Sequence, residues 1–196
     1  PKDVWGTEQY ADFLYLFMQQ LRIEKAVFLC HSFGGRVAFQ FAQKYPQMLD
    51  GLVLIASAGL KRKVPWKRKL RVKTIRTGAR LAEKFIPGGW GKKIKDSLYS
   101  RIASRDYQNA GEMRNIFVKV VNEDVSDILP EIRTPSLLIY GEDDTETPPA
   151  VGKRMQALLP NSQYVELQGF DHISILDLGR HQVGHLIRQF LKGLSS

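Results

Sequence analysis

The segment spanning residues 25–46, KAVFLCHSFGGRVAFQFAQKYP, constrains the fold more than any other part of the chain. Residues 26–30 form a continuous apolar run, the pattern of a strand buried on both faces of a sheet. His31-Ser32-Phe33-Gly34-Gly35 follows at once, and from Arg36 to Lys44 apolar residues recur at helical spacing before Pro46 stops the run. A strand that becomes a helix through so few residues must turn sharply, with Ser32 at the corner. Its hydroxyl then projects from the end of the sheet, at a helix N-terminus whose N–H groups point at any negative charge developing there. Gly34 is expected where helix and strand approach too closely to admit a side chain. A serine so placed suits a nucleophile whose attack creates an oxyanion.

The remaining elements supply the sheet. Residues 3–23 read as a lead-in and a helix, with Thr7 as N-cap and Tyr10, Phe13, Leu14, Phe17, Met18 and Leu21 at helical spacing. GLVLIASAG (51–59), TPSLLIYGEDD (134–144) and SQYVELQGFDH (162–172) read as three further strands, and residues 178–191 as a closing helix. Strands alternating with helices imply an α/β fold built on a parallel sheet of about four strands, with helices on both faces. About seventy residues between the second and third strands look helical and are too many for a simple crossover. The expected organisation is a partial core with the serine turn over 1–59, a helical cap insertion over 60–130, and the rest of the core, with the acid and histidine loops, over 131–196.

Serine is a weak nucleophile at neutral pH and needs a base, which in turn needs an orienting acid. Asp143 and Asp144 follow the third strand, and His172 follows the fourth. In a parallel wound sheet the carboxyl ends of all strands lie on one side, so these groups can meet Ser32. Either aspartate could serve. His31 is expected to pack beside the turn. His181 and His185 stand four apart with Asp177 four residues earlier, but no H-E-x-x-H pattern accompanies them, and no metal site is expected. GGWGKK (88–93) lacks the spacing of a phosphate loop.

The order Ser…Asp…His behind a nucleophile elbow resembles the α/β-hydrolase superfamily, and the sequence is similar to bacterial serine hydrolases of the esterase and haloperoxidase-like type. HSFGGRVAFQFAQKYP, LVLIASAG, SRDYQNAGEMRNIFVKVVNED, PSLLIYGEDDTETP and GFDHISILD carry the resemblance. It implies Ser32 as nucleophile, His172 as general base and acid, and Asp144, three residues after Gly141, as the orienting acid. The Phe33 N–H is implied as one oxyanion donor. The implied activity is cleavage of small carboxylic esters or related acyl substrates, with no cofactor and with the helical insertion lining the acyl pocket. The sequence departs from the family at two points. Cys30 stands where the elbow has its first glycine, and is expected as a small, buried, inert thiol. The strands and the His-Gly oxyanion loop that precede the elbow in the family are missing from these 196 residues, which begin at Pro1. The expectation is the C-terminal part of a hydrolase, completed by an N-terminal segment or by self-association through residues 26–30; the alternative is a truncated, catalytically impaired chain of this fold that binds a ligand or a partner.

Net charge is +9, unevenly spread. Residues 61–95 hold fourteen Lys and Arg against Glu83 alone, whereas residues 1–60 balance and 96–196 are net −4. The basic block reads first as a solvated helix face, and otherwise as a patch for an anionic substrate, acidic lipid or nucleic acid. Aromatics are sparse there, with Trp66 alone before Phe85, and no nucleic-acid motif occurs, so no nucleic-acid partner is expected. No apolar run reaches the ~18 residues of a membrane span, which argues against integral membrane association. A single cysteine excludes an internal disulfide and, with no visible leader, fits a cytoplasmic location.

Overall fold

A computed structural model describes residues 3–61, 66–86, 89–100 and 110–194. Four strands form one parallel sheet in the order β1 (Ala26–His31), β2 (Leu49–Ile55), β3 (Ser136–Gly141), β4 (Ser162–Leu167). Helices α1 (Thr7–Gln20) and α2 (Phe33–Lys44) flank β1 in sequence. Helix α3 (Trp66–Phe85), α4 (Trp90–Ser100) and α5 (Arg114–Asn122) lie between β2 and β3. Helix α6 (Pro149–Leu158) joins β3 to β4, and α7 (Ser174–Asp177) and α8 (Arg180–Leu194) close the chain. The chain divides into two compact units, residues 1–61 with 122–196, and residues 62–121.

The apolar alternation of the central strands builds a core on each face of the sheet. Leu52 and Leu54 of β2 and Leu138 and Tyr140 of β3 point to one side, where they pack with Ala11 and Met18 of α1, Phe39 and Phe41 of α2 and Met155 of α6. Val53, Ile55, Leu137 and Ile139 point to the other side, against Ile175 of α7 and Val183 and Phe190 of α8. Side chains on both faces of β2 and β3 are thus removed from water.

Two local expectations are corrected. Among the described strands β1 pairs only with β2, and Leu29 is 61% exposed, so the apolar run at 26–30 is an edge strand, not one buried on both faces. Thr7 is the first helical residue and Gly6 the N-cap, whose N–H donates to Gln9 Oε1 at 2.7 Å. Thr7 instead gives its N–H and hydroxyl to the Glu123 carboxylate, an anion at the positive end of α1. The second, third and fourth strands end at Ile55, Gly141 and Leu167, leaving Ser57, Asp144 and His172 on the loops beyond.

In the second unit Ala79 of α3 is fully buried. Gly91 lies against the last turn of α3 so closely that a Cβ there would sit 2.4 Å from the Ala82 carbonyl oxygen. Part of the basic block (62–65, 87–88) lies outside the described residues, as does Gly88 of the GGWGKK stretch.

Candidate active site

Ser32 occupies the corner between β1 and α2 with φ 49° and ψ −113°, a conformation that L-residues rarely adopt and that costs about 1–3 kcal/mol. The surrounding backbone holds it there. Its N–H donates to the Ile55 carbonyl at 3.2 Å, and its own carbonyl accepts from Gly35 N–H at 3.2 Å and Ala58 N–H at 2.9 Å. The hydroxyl does not cap α2. It stands 3.0 Å from His172 Nε2. Phe33 is the first helical residue after it, so its N–H is one that an α-helix leaves without an internal acceptor.

The close approach at the elbow falls on Gly35, not on Gly34 as the sequence suggested. A Cβ at Gly34 would meet only the Cys30 Cβ, at an ordinary 3.5 Å. One at Gly35 would stand 2.5 Å from the Ser57 Cβ and 2.7 Å from its Oγ. At Gly35, therefore, the tightest approach of α2 is to the loop after β2. Cys30 is half-buried and burial pushes its thiol up to about 12, which leaves it protonated and unreactive at neutral pH.

Two loops bring the other groups to Ser32. Gly141 ends β3 with its backbone against the β4 loop, where a Cβ would lie 2.1 Å from the Phe170 carbonyl oxygen. Glu142 N–H donates to the Leu167 carbonyl and Asp143 N–H to that of Phe170, lacing the loops together. This places Asp144 Oδ2 at 2.8 Å from His172 Nδ1. Asp143 is exposed, and of the two candidate acids it is Asp144 that the ring meets.

Four donors converge on the Asp144 carboxylate, which is 2% exposed. Oδ1 accepts the N–H groups of Glu146 at 2.7 Å and Thr147 at 2.8 Å. Oδ2 accepts from His172 Nδ1 and faces the Thr147 hydroxyl at 2.7 Å. The same hydroxyl lies 2.9 Å from the Ala56 carbonyl, and its single proton serves one oxygen at a time. Burial acts to raise the Asp144 carboxyl, but the hydrogen bonds from His172 and Thr147 together outweigh it and hold the group below its ordinary value. His172 moves the other way. The Asp144 hydrogen bond raises it above 6.5 against the opposing effect of burial, helped by the charges of Asp144, Glu146 and Asp171.

Sequence reasoning missed two of these groups. Thr147, 7% exposed, clamps the acid, and its signal was present as an aspartate followed three residues later by a threonine, a spacing that favours local side-chain-to-backbone turns. Glu146 reaches 3.7 Å from His172 Nε2, on the side of the ring that faces Ser32. No spacing rule would have indicated it. His31 packs beside the elbow as the sequence suggested, and also donates from Nε2 to the His172 carbonyl at 2.9 Å. His181 and His185 are exposed on α8, and among the described residues no group of three or more His, Cys, Asp or Glu is gathered as a metal site would need.

The arrangement can pass a proton from a corner hydroxyl to an imidazole whose tautomer is fixed by a buried carboxylate. Residues 6–178 match the family described as serine aminopeptidase, S33. The chain is 25% identical over 194 aligned residues to the uncharacterized hydrolase YugF of Bacillus subtilis, a match that spans 87% of this chain and 67% of that protein. Its fold is similar to that of MGS-M2, an α/β-hydrolase enzyme from a Medee basin deep-sea metagenome library, with a TM-score of 0.67, 23% identity, and coverage of 98% of this chain and 74% of that one. It is also similar to a thermophilic esterase from Thermogutta terrifontis solved with malate bound, with a TM-score of 0.62, 24% identity, and coverage of 99% and 75%. These relatives are longer, and the chain spans two thirds to three quarters of their length. With its elbow, its parallel sheet and the family match over most of its length, the chain belongs to the serine aminopeptidase (S33) family of α/β-hydrolases.

Proposed function

We infer that the chain acts as a serine hydrolase on small carboxylic esters or related acyl substrates, with Ser32 as nucleophile, His172 as base and acid, and Asp144 as the group that orients it. The observation that carries this reading is the unbroken run of contacts from Ser32 Oγ to His172 Nε2 at 3.0 Å and from His172 Nδ1 to Asp144 Oδ2 at 2.8 Å. Ser32 Oγ attacks the carbonyl carbon as its proton passes to His172 Nε2. The imidazolium so formed is stabilised by the Asp144 carboxylate, and the Phe33 N–H faces the negative oxygen. Nε2 then returns the proton to the departing alkoxide, leaving Ser32 acylated. Water, deprotonated by the same nitrogen, attacks the acyl carbon, and the serine is restored with release of the acid.

A fluorophosphonate probe tests this reading, because it is attacked by an activated serine and remains attached. Labelling that maps to Ser32 and disappears in Ser32→Ala is the expected result. A folded chain that stays unlabelled, and does not hydrolyse p-nitrophenyl acetate, overturns it.

A further inference from the structure

The surface of the second unit carries a feature that the hydrolase reading does not use. Helix α3 is twenty residues long, about 30 Å, and has two apolar stripes. One is turned inward, with Ala79 fully buried and Val72, Ile75 and Ala82 half-buried. The other holds Trp66, Leu70, Leu81 and Phe85, which are 68%, 52%, 50% and 69% exposed. Their spacing confines them to an arc of about 100°, on the far side from the buried stripe. Ile86, between the two helices, and Trp90 and Ile94 of α4 are also exposed.

Cations accompany these side chains. Lys73, Arg80 and Lys84 are exposed and, at helical spacing, follow one edge of the outer stripe. Lys84 Nζ stands 5.5 Å from the centre of the Phe85 ring, and Lys93 Nζ 5.7 Å from that of Trp90. The segment from 61 to 95 contains fourteen Lys and Arg against one Glu, while the rest of the chain carries a net negative charge. A merely solvated basic helix has no use for two tryptophans and a phenylalanine held in water, and soluble surfaces expose such residues singly rather than in a stripe. Trp and Phe beside Lys and Arg on an amphipathic helix is the composition of a helix lying in the plane of a bilayer interface. No described helix is long and apolar enough to cross a membrane.

We propose that the outer face of α3 and the start of α4 attach this chain to the surface of an anionic lipid bilayer, with Trp66, Leu70, Leu81, Phe85 and Trp90 entering the headgroup region and the surrounding Lys and Arg contacting lipid phosphates. The attachment is independent of the hydrolase reading. Phosphates of a nucleic acid would satisfy the cations equally, but they offer nothing to Leu70, Leu81 and Ile94, and this difference makes the test decisive.

The full chain is sedimented with vesicles of phosphatidylcholine alone and with vesicles in which about a third of the lipid is phosphatidylglycerol. Binding to the anionic vesicles, with a blue shift of tryptophan emission, is expected, and weakening as NaCl rises from about 0.05 to about 0.5 M. Phe85→Ala with Trp90→Ala is expected to lower the partition coefficient about ten-fold, and Lys84→Ala or Lys93→Ala about five-fold each. Circular dichroism and thermal melting of the variants verify that the fold is retained. The proposal is overturned by absence of binding, by equal binding to neutral vesicles, or by retention that ignores the aromatic substitutions and is matched by duplex DNA at equal phosphate concentration.

Discussion

His31 and His172 are coupled twice. Their rings lie 4.7 Å apart at an angle of 43°, and His31 Nε2 donates to the His172 carbonyl at 2.9 Å. His31, the residue before Ser32, therefore ties down the backbone of His172, the base of the proposed mechanism. The bond also fixes His31 as a form protonated on Nε2, since a carbonyl can only accept.

His31 is a positioning residue, and its removal acts through geometry. His31→Ala is expected to lower kcat for p-nitrophenyl acetate about ten- to a hundred-fold with little change in KM, the range that displacement of a reacting group by about 1 Å produces. His31→Gln, which can still present an N–H to the carbonyl, is expected to recover part of the loss. Equal effects of both substitutions, or a change confined to KM, would show that the hydrogen bond does not position the base.

The pH dependence follows from the opposite movements of the paired groups. In the proposed mechanism proton abstraction needs neutral His172, so its raised value is expected to move the acid limb of kcat/KM upward from that of an ordinary imidazole. Glu146 contributes to that elevation, so Glu146→Gln is expected to shift the limb toward lower pH, detectable in a profile from pH 5 to 9. Stability follows the same linkage. The depressed Asp144 adds stability that is present above 3.8 and lost as pH falls through its lower folded value. The elevated His172 adds stability that is present below 6.5 and lost as pH rises through its higher folded value.

Thr147 tests how far the acid depends on its surroundings. Thr147→Val keeps the shape but removes the one hydroxyl proton that Asp144 Oδ2 and the Ala56 carbonyl share in a buried site, at a cost of about 1–3 kcal/mol. In a chain of this size that lowers Tm by about 2–12 °C, measurable by calorimetry. Asp144→Asn differs in kind. It retains the volume but no longer selects the tautomer that leaves Nε2 free to accept, and kcat is expected to drop about 10⁴-fold.

Much of this site was legible because its logic is topological. An apolar run, a serine corner and two later strands are enough to place Ser32, His172 and either Asp143 or Asp144 on one rim of a parallel sheet, whatever the spacing between them, and in the sequence the choice of Asp144 rests on the family resemblance. What the sequence does not encode locally is which backbone lies next to which. The burial of β1 depends on its neighbours, and Leu29 is exposed because β1 stands at the edge of the described sheet. Thr7 has the composition of an N-cap, but Glu123, more than a hundred residues away, draws it into the helix. Glu146 belongs to the site only because the turn around Asp144 swings it back toward His172. Gly34 and Gly35 cannot be ranked without knowing where Ser57 lies.

The two adjacent glycines provide the sharpest contrast. Both lie in the first turn of α2, where alanine is favoured over glycine by about 1 kcal/mol when space allows. At Gly34 the new methyl meets Cys30 Cβ at 3.5 Å, so Gly34→Ala is expected to keep or slightly raise Tm. At Gly35 it falls 2.5 Å from the Cβ of Ser57, which is fully buried, with the Ala58 carbonyl 3.3 Å behind. Neither neighbour is a flexible side-chain end. The Ala58 N–H also holds the Ser32 carbonyl, so relief of the clash pulls on Ser32 itself. Gly35→Ala is therefore expected to cost about 1–3 kcal/mol in thermal unfolding and to slow fluorophosphonate labelling of Ser32 in the same variant. A Gly35→Ala chain that melts and labels like the parent would mean that the α2 N-terminus and the loop after β2 are not in contact at this point, and the elbow would have to be held by other means.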